Sequence, residues 1–171
     1  MRVTSAVAAT TESNAPVDRT PQRVRHPLRF RLLEVSCVNQ LTPHLMRVTL
    51  AGADLTGFVS PGFDDHVKLF FPDPVTGPLA LPSVGEQGPS WGDGERPLMR
   101  DYTPRHFDPV ARTLTIDFAL HTPGGPATQW AAQATVGQKL GVGGPKGSLL
   151  VPTAFDWHLL IGDDSALPAI A

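Results

Sequence analysis

Residues 113–120 alternate without a break: Leu114, Ile116, Phe118 and Leu120 are apolar, with Thr113, Thr115, Asp117 and Ala119 between them. A period of two puts the four apolar side chains on one face, so the run is a half-buried strand that needs a core on one side. Other strand candidates are 30–38, 45–50, 66–71, 100–106 and 139–142, with a turn or a single helical turn at 52–58. The 66–71 run is nearly continuous in apolar residues and suits burial on both faces. Segment 100–106 reads as the hairpin partner of 112–120, across 107–111. One short helix fits 129–134. Six or so strands, one helix and no βαβ alternation predict a mainly β protein built as an antiparallel barrel. The stretch 72–97 is dense in Pro and Gly, a long loop of the kind that is functional or mobile.

Composition narrows the class. A chain of 171 residues with 41% hydrophobic and 18% charged residues can bury an ordinary globular core. Its net charge of −2 gives no reason to expect nucleic acid or membrane as a partner. Residues 1–31 nevertheless carry six Arg against Glu12 and Asp18, leaving the excess negative charge to the rest. That basic, Ser/Thr/Ala-rich start reads as a disordered tail over residues 1–27. The apolar patch at Ser5 to Ala9 is too short and weak for an export signal, and no run has the length of a membrane span. The single Cys37 suits a reducing compartment, and its simplest reading is a small apolar strand residue. The expected location is cytoplasmic.

Two motifs carry chemistry. Arg100-Asp101-Tyr102-Thr103-Pro104-Arg105 has the residue types that hold a flavin. A Tyr ring packs on the flavin while its hydroxyl stays polar, Thr offers hydrogen bonds at the N5 edge, and an Arg fork fits a pyrophosphate. The second motif follows the alternating strand as His121-Thr122-Pro123-Gly124-Gly125-Pro126-Ala127-Thr128. Its Gly pair admits a close backbone approach, Pro126 fits a first helical turn, and free N–H groups at a helix start favour a diphosphate. An ordinary strand-to-helix loop has the same residues; the Arg100-x-Tyr102-Thr103 run in the same domain favours the ligand-holding reading. The six His are scattered with no metal-ligand spacing, and no nucleophile–base arrangement or P-loop is present.

With those motifs, the chain resembles the siderophore-interacting proteins, flavin-dependent ferric-siderophore reductases of the ferredoxin-reductase superfamily. Further matches in order are Asp65-His66-Val67-Lys68-Leu69-Phe70-Phe71-Pro72, Asp117-Phe118-Ala119-Leu120-His121, Gly144-Pro145-Lys146-Gly147-Ser148 and Gly162-Asp163-Asp164-Ser165-Ala166-Leu167-Pro168. The family has an acidic residue and Thr where this chain has Asp164 and Ser165, a small departure. The resemblance implies a six-stranded antiparallel Greek-key barrel with one short helix over residues 28–155. Residues 156–171 then open a truncated NAD(P)H-binding domain, His158 to Ile161 being the first strand of an α/β nucleotide fold. From the residues alone, an edge strand or tail of the barrel fits that last segment equally well.

The resemblance also implies FAD as cofactor, NADPH or NADH as donor, a ferric siderophore as substrate and a monomeric state. The implied cofactor-binding residues are Arg100, Tyr102, Thr103, Arg105, Asp117, His121, Gly125, Ala127 and Thr128. Lys68 and His66 steer the anionic substrate, and no side chain acts as a catalytic acid, base or nucleophile. Residue by residue, plainer readings stay open: a snorkelling Lys68, a satisfied His121 at a strand end, Trp130 as the anchor of the helix, and a solvated Lys146. Two other functions also stay open: another flavin reductase of the superfamily, or a FAD-binding module with no NAD(P)H-driven activity of its own.

Overall fold

The computed structural model describes residues 17–73, 77, 79–85, 88–91 and 96–170. In chain order the strands are β1 (Gln22–Arg25), β2 (Phe30–Thr42), β3 (Leu45–Ala51), β4 (Val67–Phe70), β5 (Ser83–Gly85), β6 (Gly88–Ser90), β7 (Met99–Tyr102), β8 (Pro104–Asp108), β9 (Thr113–Ala119), β10 (Lys139–Gly143) and β11 (Gly147–Leu150). Helix α1 (Pro126–Ala132) lies between β9 and β10, α2 (Leu167–Ile170) is the last element, and a 3-10 turn forms at Ala53–Leu55.

Seven strands make one antiparallel sheet in the order β7-β4-β10-β2-β3-β9-β8. Its two edge strands, β7 and β8, are joined through Thr103 alone, so the sheet must curl until its edges approach each other. Strand β10 follows the helix yet lies between β2 and β4, the crossing connection that a Greek key requires. The fold is therefore mainly β, a curled antiparallel half-barrel with few short helices.

Alternation fills the inside. Leu33 and Val35, Met46, Val48 and Leu50, Val67 and Leu69, Leu114, Ile116 and Phe118, and Leu140 and Val142 form one buried cluster. The register sets Met46 opposite Phe118, Val48 opposite Ile116 and Leu50 opposite Leu114, so same-face pairs stack across β3 and β9. Ala127 and Ala131, one turn apart on α1, enter the same cluster and close one end of the barrel. Trp130 anchors that helix, its ring 5.4 Å from Phe71 and 5.7 Å from Phe118.

Strand β4 is buried on its inner face at Val67 and Leu69 and on its outer face at Phe70, while Lys68 on that outer face stays partly exposed. Leu69 points into the core, while Phe70 faces outward under Phe30 and Trp91, both 5.6 Å away. Gly143 makes this cover fit: a Cβ there would come within 2.9 Å of both Phe30 and Phe70. Trp91 comes from the Pro/Gly-rich stretch, which also holds the two-stranded ribbon β5–β6. Part of that stretch (74–76, 78, 86–87, 92–95) lies outside the described residues.

Some expectations change. Segment 100–106 is not one strand, because Thr103 divides it: Arg100 to Tyr102 pair with β4, and Pro104 to Asp108 pair with β9. Closing a curled sheet forces the chain to leave one edge and enter the other at this point. The tail expected over 1–27 is also too long. Residues 1–16 lie outside the described residues, but Gln22–Arg25 pairs along β11. A buried relay fastens that pair: His26 Nε2 lies 2.8 Å from Ser148 Oγ, which donates at 2.7 Å to Asp65 Oδ2. The same carboxylate oxygen accepts from Ser60 Oγ and Gly62 N, drawing the 60–65 loop against β11.

Residues 158–161 do not form the strand expected there. Trp157 is 74% exposed, Leu159 69% and Ile161 84%, and no strand among the described residues pairs with them. A single extended segment with no sheet to join buries nothing and makes no ladder. The chain then turns back through Asp163, whose side chain takes the N–H and hydroxyl of Ser165, and α2 packs by β8.

Candidate functional site

The seam between the two sheet edges, the end of β9 and the start of α1 enclose one hollow. Arg100, Asp101 and Tyr102 come from β7, Asp117 and Ala119 from β9, and His121 from the turn that follows. Gly125, Ala127 and Thr128 come from the helix start, while Asp164 and Ser165 close the rim from the C-terminal segment. Its volume is ≈280 Å³. A second hollow of ≈290 Å³ adjoins it past Asp117, lined by Arg105, His106, the 60–63 loop and Pro168. Segment 164–169 thus rims both.

Each wall has a distinct character. Tyr102 shares a sheet face with Val67 and packs its ring 4.5 Å from that of Phe118, leaving the other ring face toward the hollow. Burial pushes the Tyr102 hydroxyl up to about 12, against the opposing pull of the Arg100 charge, so the phenol is neutral at ordinary pH. Arg100 is exposed, donates only to the Met99 carbonyl at 2.7 Å, and pairs with no carboxylate among the described residues. A cation with a spare fork at a cavity wall is suited to an anionic ligand.

The helix start supplies the opposite wall. A Cβ at Gly125 would meet no protein atom within 4 Å, so that direction is open to a ligand. At Gly124 a Cβ would instead press on Thr128 at 3.2 Å and on the His121 carbonyl at 3.3 Å, so this glycine serves the turn itself. Pro126 has no N–H, and the amides of Ala127 and Thr128 belong to the first turn, where no intrahelical acceptor exists. His121 Nδ1 donates to the Pro123 carbonyl at 2.9 Å, since a carbonyl can only accept, and turns Nε2 toward Thr128. Thr128 Oγ1 lies 3.3 Å from that Nε2 and 3.4 Å from the Ala119 carbonyl, so its one proton serves one of the two.

The structure thus brings seven of the sequence-expected residues to one hollow: Arg100, Tyr102, Asp117, His121, Gly125, Ala127 and Thr128. Thr103 sits at the seam and Arg105 lines the adjoining hollow. Lys68 and His66 are not among the lining residues. Lys68 lies on the sheet face opposite Tyr102 and pairs with Asp101 at 2.5 Å, both side chains being 40% or more exposed. Such a pair contributes at most about 1 kcal/mol. His66 is exposed just before β4, and Lys146 is exposed between β10 and β11. Among the described residues no group of three or more His, Cys, Asp or Glu could hold a metal ion.

Sequence reasoning passed over Arg47. On β3 it stands directly opposite Asp117 and forks onto it, Nε to Oδ1 at 2.7 Å and Nη2 to Oδ2 at 2.8 Å. The fork holds the Arg47 guanidinium above its ordinary pKa, and Asp117 is only 4% exposed. Only the register of β3 against β9 reveals the pair, since seventy residues separate its members.

A curled antiparallel half-barrel closed by one short helix is a ferredoxin-reductase-like fold. The ferredoxin reductase in carbazole 1,9a-dioxygenase shares this fold at TM-score 0.51 and 19% identity, over 75% of this chain and 32% of that one. Residues 34–149 match the siderophore-interacting FAD-binding domain family, and the chain belongs to it.

Its relatives include the NADPH-dependent ferric-chelate reductase of Escherichia coli (strain K12), 48% identical over 158 residues, 92% of this chain and 60% of the relative. The ferric vibriobactin reductase ViuB of Vibrio cholerae is 38% identical over 82% of this chain and 52% of its own. A siderophore utilization protein from T. fusca has a solved structure that superposes at TM-score 0.81 with 45% identity, over 88% of this chain and 57% of that one. The chain therefore spans 60% or less of the length of these relatives. No helix among the described residues is long and apolar enough to cross a membrane.

Proposed function

We propose that this chain binds FAD in the trough between the β7–β8 seam and the start of α1. There it serves as the flavin domain of a cytoplasmic, monomeric ferric-siderophore reductase. The observation that carries the reading is the meeting of two sequence-distant motifs in one hollow, Arg100-Asp101-Tyr102 and Gly125-Pro126-Ala127-Thr128, in a chain of this family. The residues present fit the group: a guanidinium with no carboxylate partner among the described residues and helix-start amides for phosphates, a neutral phenol ring for an apolar face, and an open glycine where backbone must come close.

FAD held there would supply two-electron hydride acceptance and one-electron donation, the chemistry that couples a nicotinamide donor to a one-electron acceptor. The protein residues bind and orient. Arg100 would neutralise phosphate charge, Tyr102, backed by Phe118, would offer its ring to the flavin, and Thr103 at the seam would offer backbone groups that pair with no strand among the described residues. Lys68, one residue across from the trough wall through Asp101, attracts an anionic ferric chelate. Oxygen-rich chelators hold Fe(III) far better than Fe(II), so reduction of this substrate releases iron. Residues 156–171 open the donor-binding domain, a reading supported by the exposed apolar run at Trp157 to Ile161 and by Asp164 and Ser165 on the trough rim.

The test is a reoxidation assay on a FAD-loaded preparation, with the flavin reduced by dithionite. Ferric siderophore should reoxidise it and yield Fe(II), captured by a ferrous chelator, faster than a protein-free flavin control. Reoxidation no faster than that control would overturn the reductase reading while leaving FAD binding intact.

A further inference from the structure

We propose that Arg47 is a positioning residue for the cofactor trough: by occupying Asp117 it keeps Arg105 free to bind an anion. The inference rests on the FAD reading above and assigns a task to Arg47, which lines neither hollow, through its pairing with Asp117 on the trough wall. Asp117 lies on β9 between two guanidiniums. Arg47 reaches it from β3 and Arg105 from β8, where a register shift between Pro104 and His106 places Arg105 at a bulge. Bulges re-aim a side chain in this way.

The two contacts differ in kind. Arg47 makes two short bonds, 2.7 and 2.8 Å, one to each carboxylate oxygen. Arg105 Nε stays 4.0 Å from Oδ2, within electrostatic reach but beyond a hydrogen bond. Asp117 is 4% exposed, so its charge must be compensated locally. With Arg47 forked onto both oxygens, Arg105 makes no hydrogen bond to the carboxylate and its donors remain available to the hollow it lines. Without Arg47, the buried carboxylate would have Arg105 as its nearest cation. Arg105 would then turn its fork inward and leave the adjoining hollow that it lines.

The consequence is a distinctive pattern in FAD affinity, measured on the chain by flavin fluorescence quenching with thermal unfolding as the fold check. Arg105→Met should weaken FAD roughly tenfold, the lower end for a hydrogen bond to a charged group. Arg47→Met should weaken it by a similar factor, although Arg47 is on neither hollow's wall. Arg47→Met with Asp117→Leu should recover most of that loss, because no carboxylate remains to capture Arg105. Adding Arg105→Met to this double variant should cost about tenfold again. A merely structural pair produces no such recovery through Arg105.

Should Arg47→Met fail to fold, Arg47→Lys carries the test. An ammonium fills only one side of the carboxylate, so affinity should drop by about threefold and return when Asp117→Leu is added. Arg47 variants that bind FAD like wild type, or double variants no better than the single ones, would overturn the proposal alone. Wild-type chain that is folded yet takes up no FAD would overturn the FAD reading, and this proposal with it.

Discussion

Replacing Arg100 by alanine separates the phosphate-holding role of the seam from its structural role. Arg100 is exposed, makes its one hydrogen bond to the adjacent Met99 carbonyl, and has no acidic partner among the described residues. Its removal should change stability by no more than about 0.5 kcal/mol, as for an ordinary surface site. A charged hydrogen bond to a pyrophosphate is worth roughly 1.5–3 kcal/mol, so FAD should bind about 10- to 150-fold more weakly. Arg100→Lys should fall between, since a point charge keeps the attraction and loses the fork. Fluorescence titrations with FAD and with riboflavin read this out. Riboflavin lacks both phosphates, and its weaker affinity should be the same for wild type and Arg100→Ala. Unchanged FAD affinity, or an equal loss for both ligands, would refute the assignment.

Three further outcomes follow from the same geometry. The chain has one tyrosine, so phenolate absorbance reports Tyr102 alone; its midpoint should lie near 12 rather than at the ordinary 10. The folded pKa is the raised one, so this group's contribution to stability is complete below pH 10 and is lost as pH rises toward 12; a midpoint at 10 in folded protein contradicts the burial. Phe118→Ala removes a side chain that is 0% exposed and backs Tyr102, and should cost about 3–5 kcal/mol in chemical denaturation; a cost below about 1 kcal/mol would place Phe118 outside the core. Asp108 accepts the backbone N–H groups of Ala111 and Val110 at the hairpin turn, which hold its carboxyl below the usual range. Its help to the turn is therefore present above the ordinary carboxylate pKa and lost as pH falls through the depressed one, so wild type and Asp108→Ala should converge in stability in acid.

Local periodicity made the strands legible. The alternation at 113–120 and the apolar run at 66–71 carry their burial in the residue order itself, and they fold as the strands Thr113–Ala119 and Val67–Phe70, with His66 left exposed before the second. Pairing was less accessible, because it depends on which distant strands meet. Nothing between residues 100 and 106 signals that Thr103 divides two opposite sheet edges; the division follows from curling the sheet. Arg47 and Asp117 each look like an outward polar residue until register sets them face to face. Gln22–Arg25 resembles a tail in composition and becomes a strand only because β11 offers an edge and the His26, Ser148 and Asp65 relay secures it. His158 to Ile161 reads as a strand by its apolar run yet stays exposed, since a strand also needs a neighbour. The trough was legible in its residue types, while the second hollow at Arg105 came from the bulge in β8.

The central claim is that FAD occupies the trough formed by the seam and the start of α1. Hydrogen–deuterium exchange of the chain with and without saturating FAD tests it most directly, because it reads the site at the backbone. The account predicts slowed exchange at Tyr102 and Thr103 and at Gly125, Ala127 and Thr128, with β1 and the hairpin turn at 109–112 unchanged. Binding of FAD with protection elsewhere and none at these amides would contradict it.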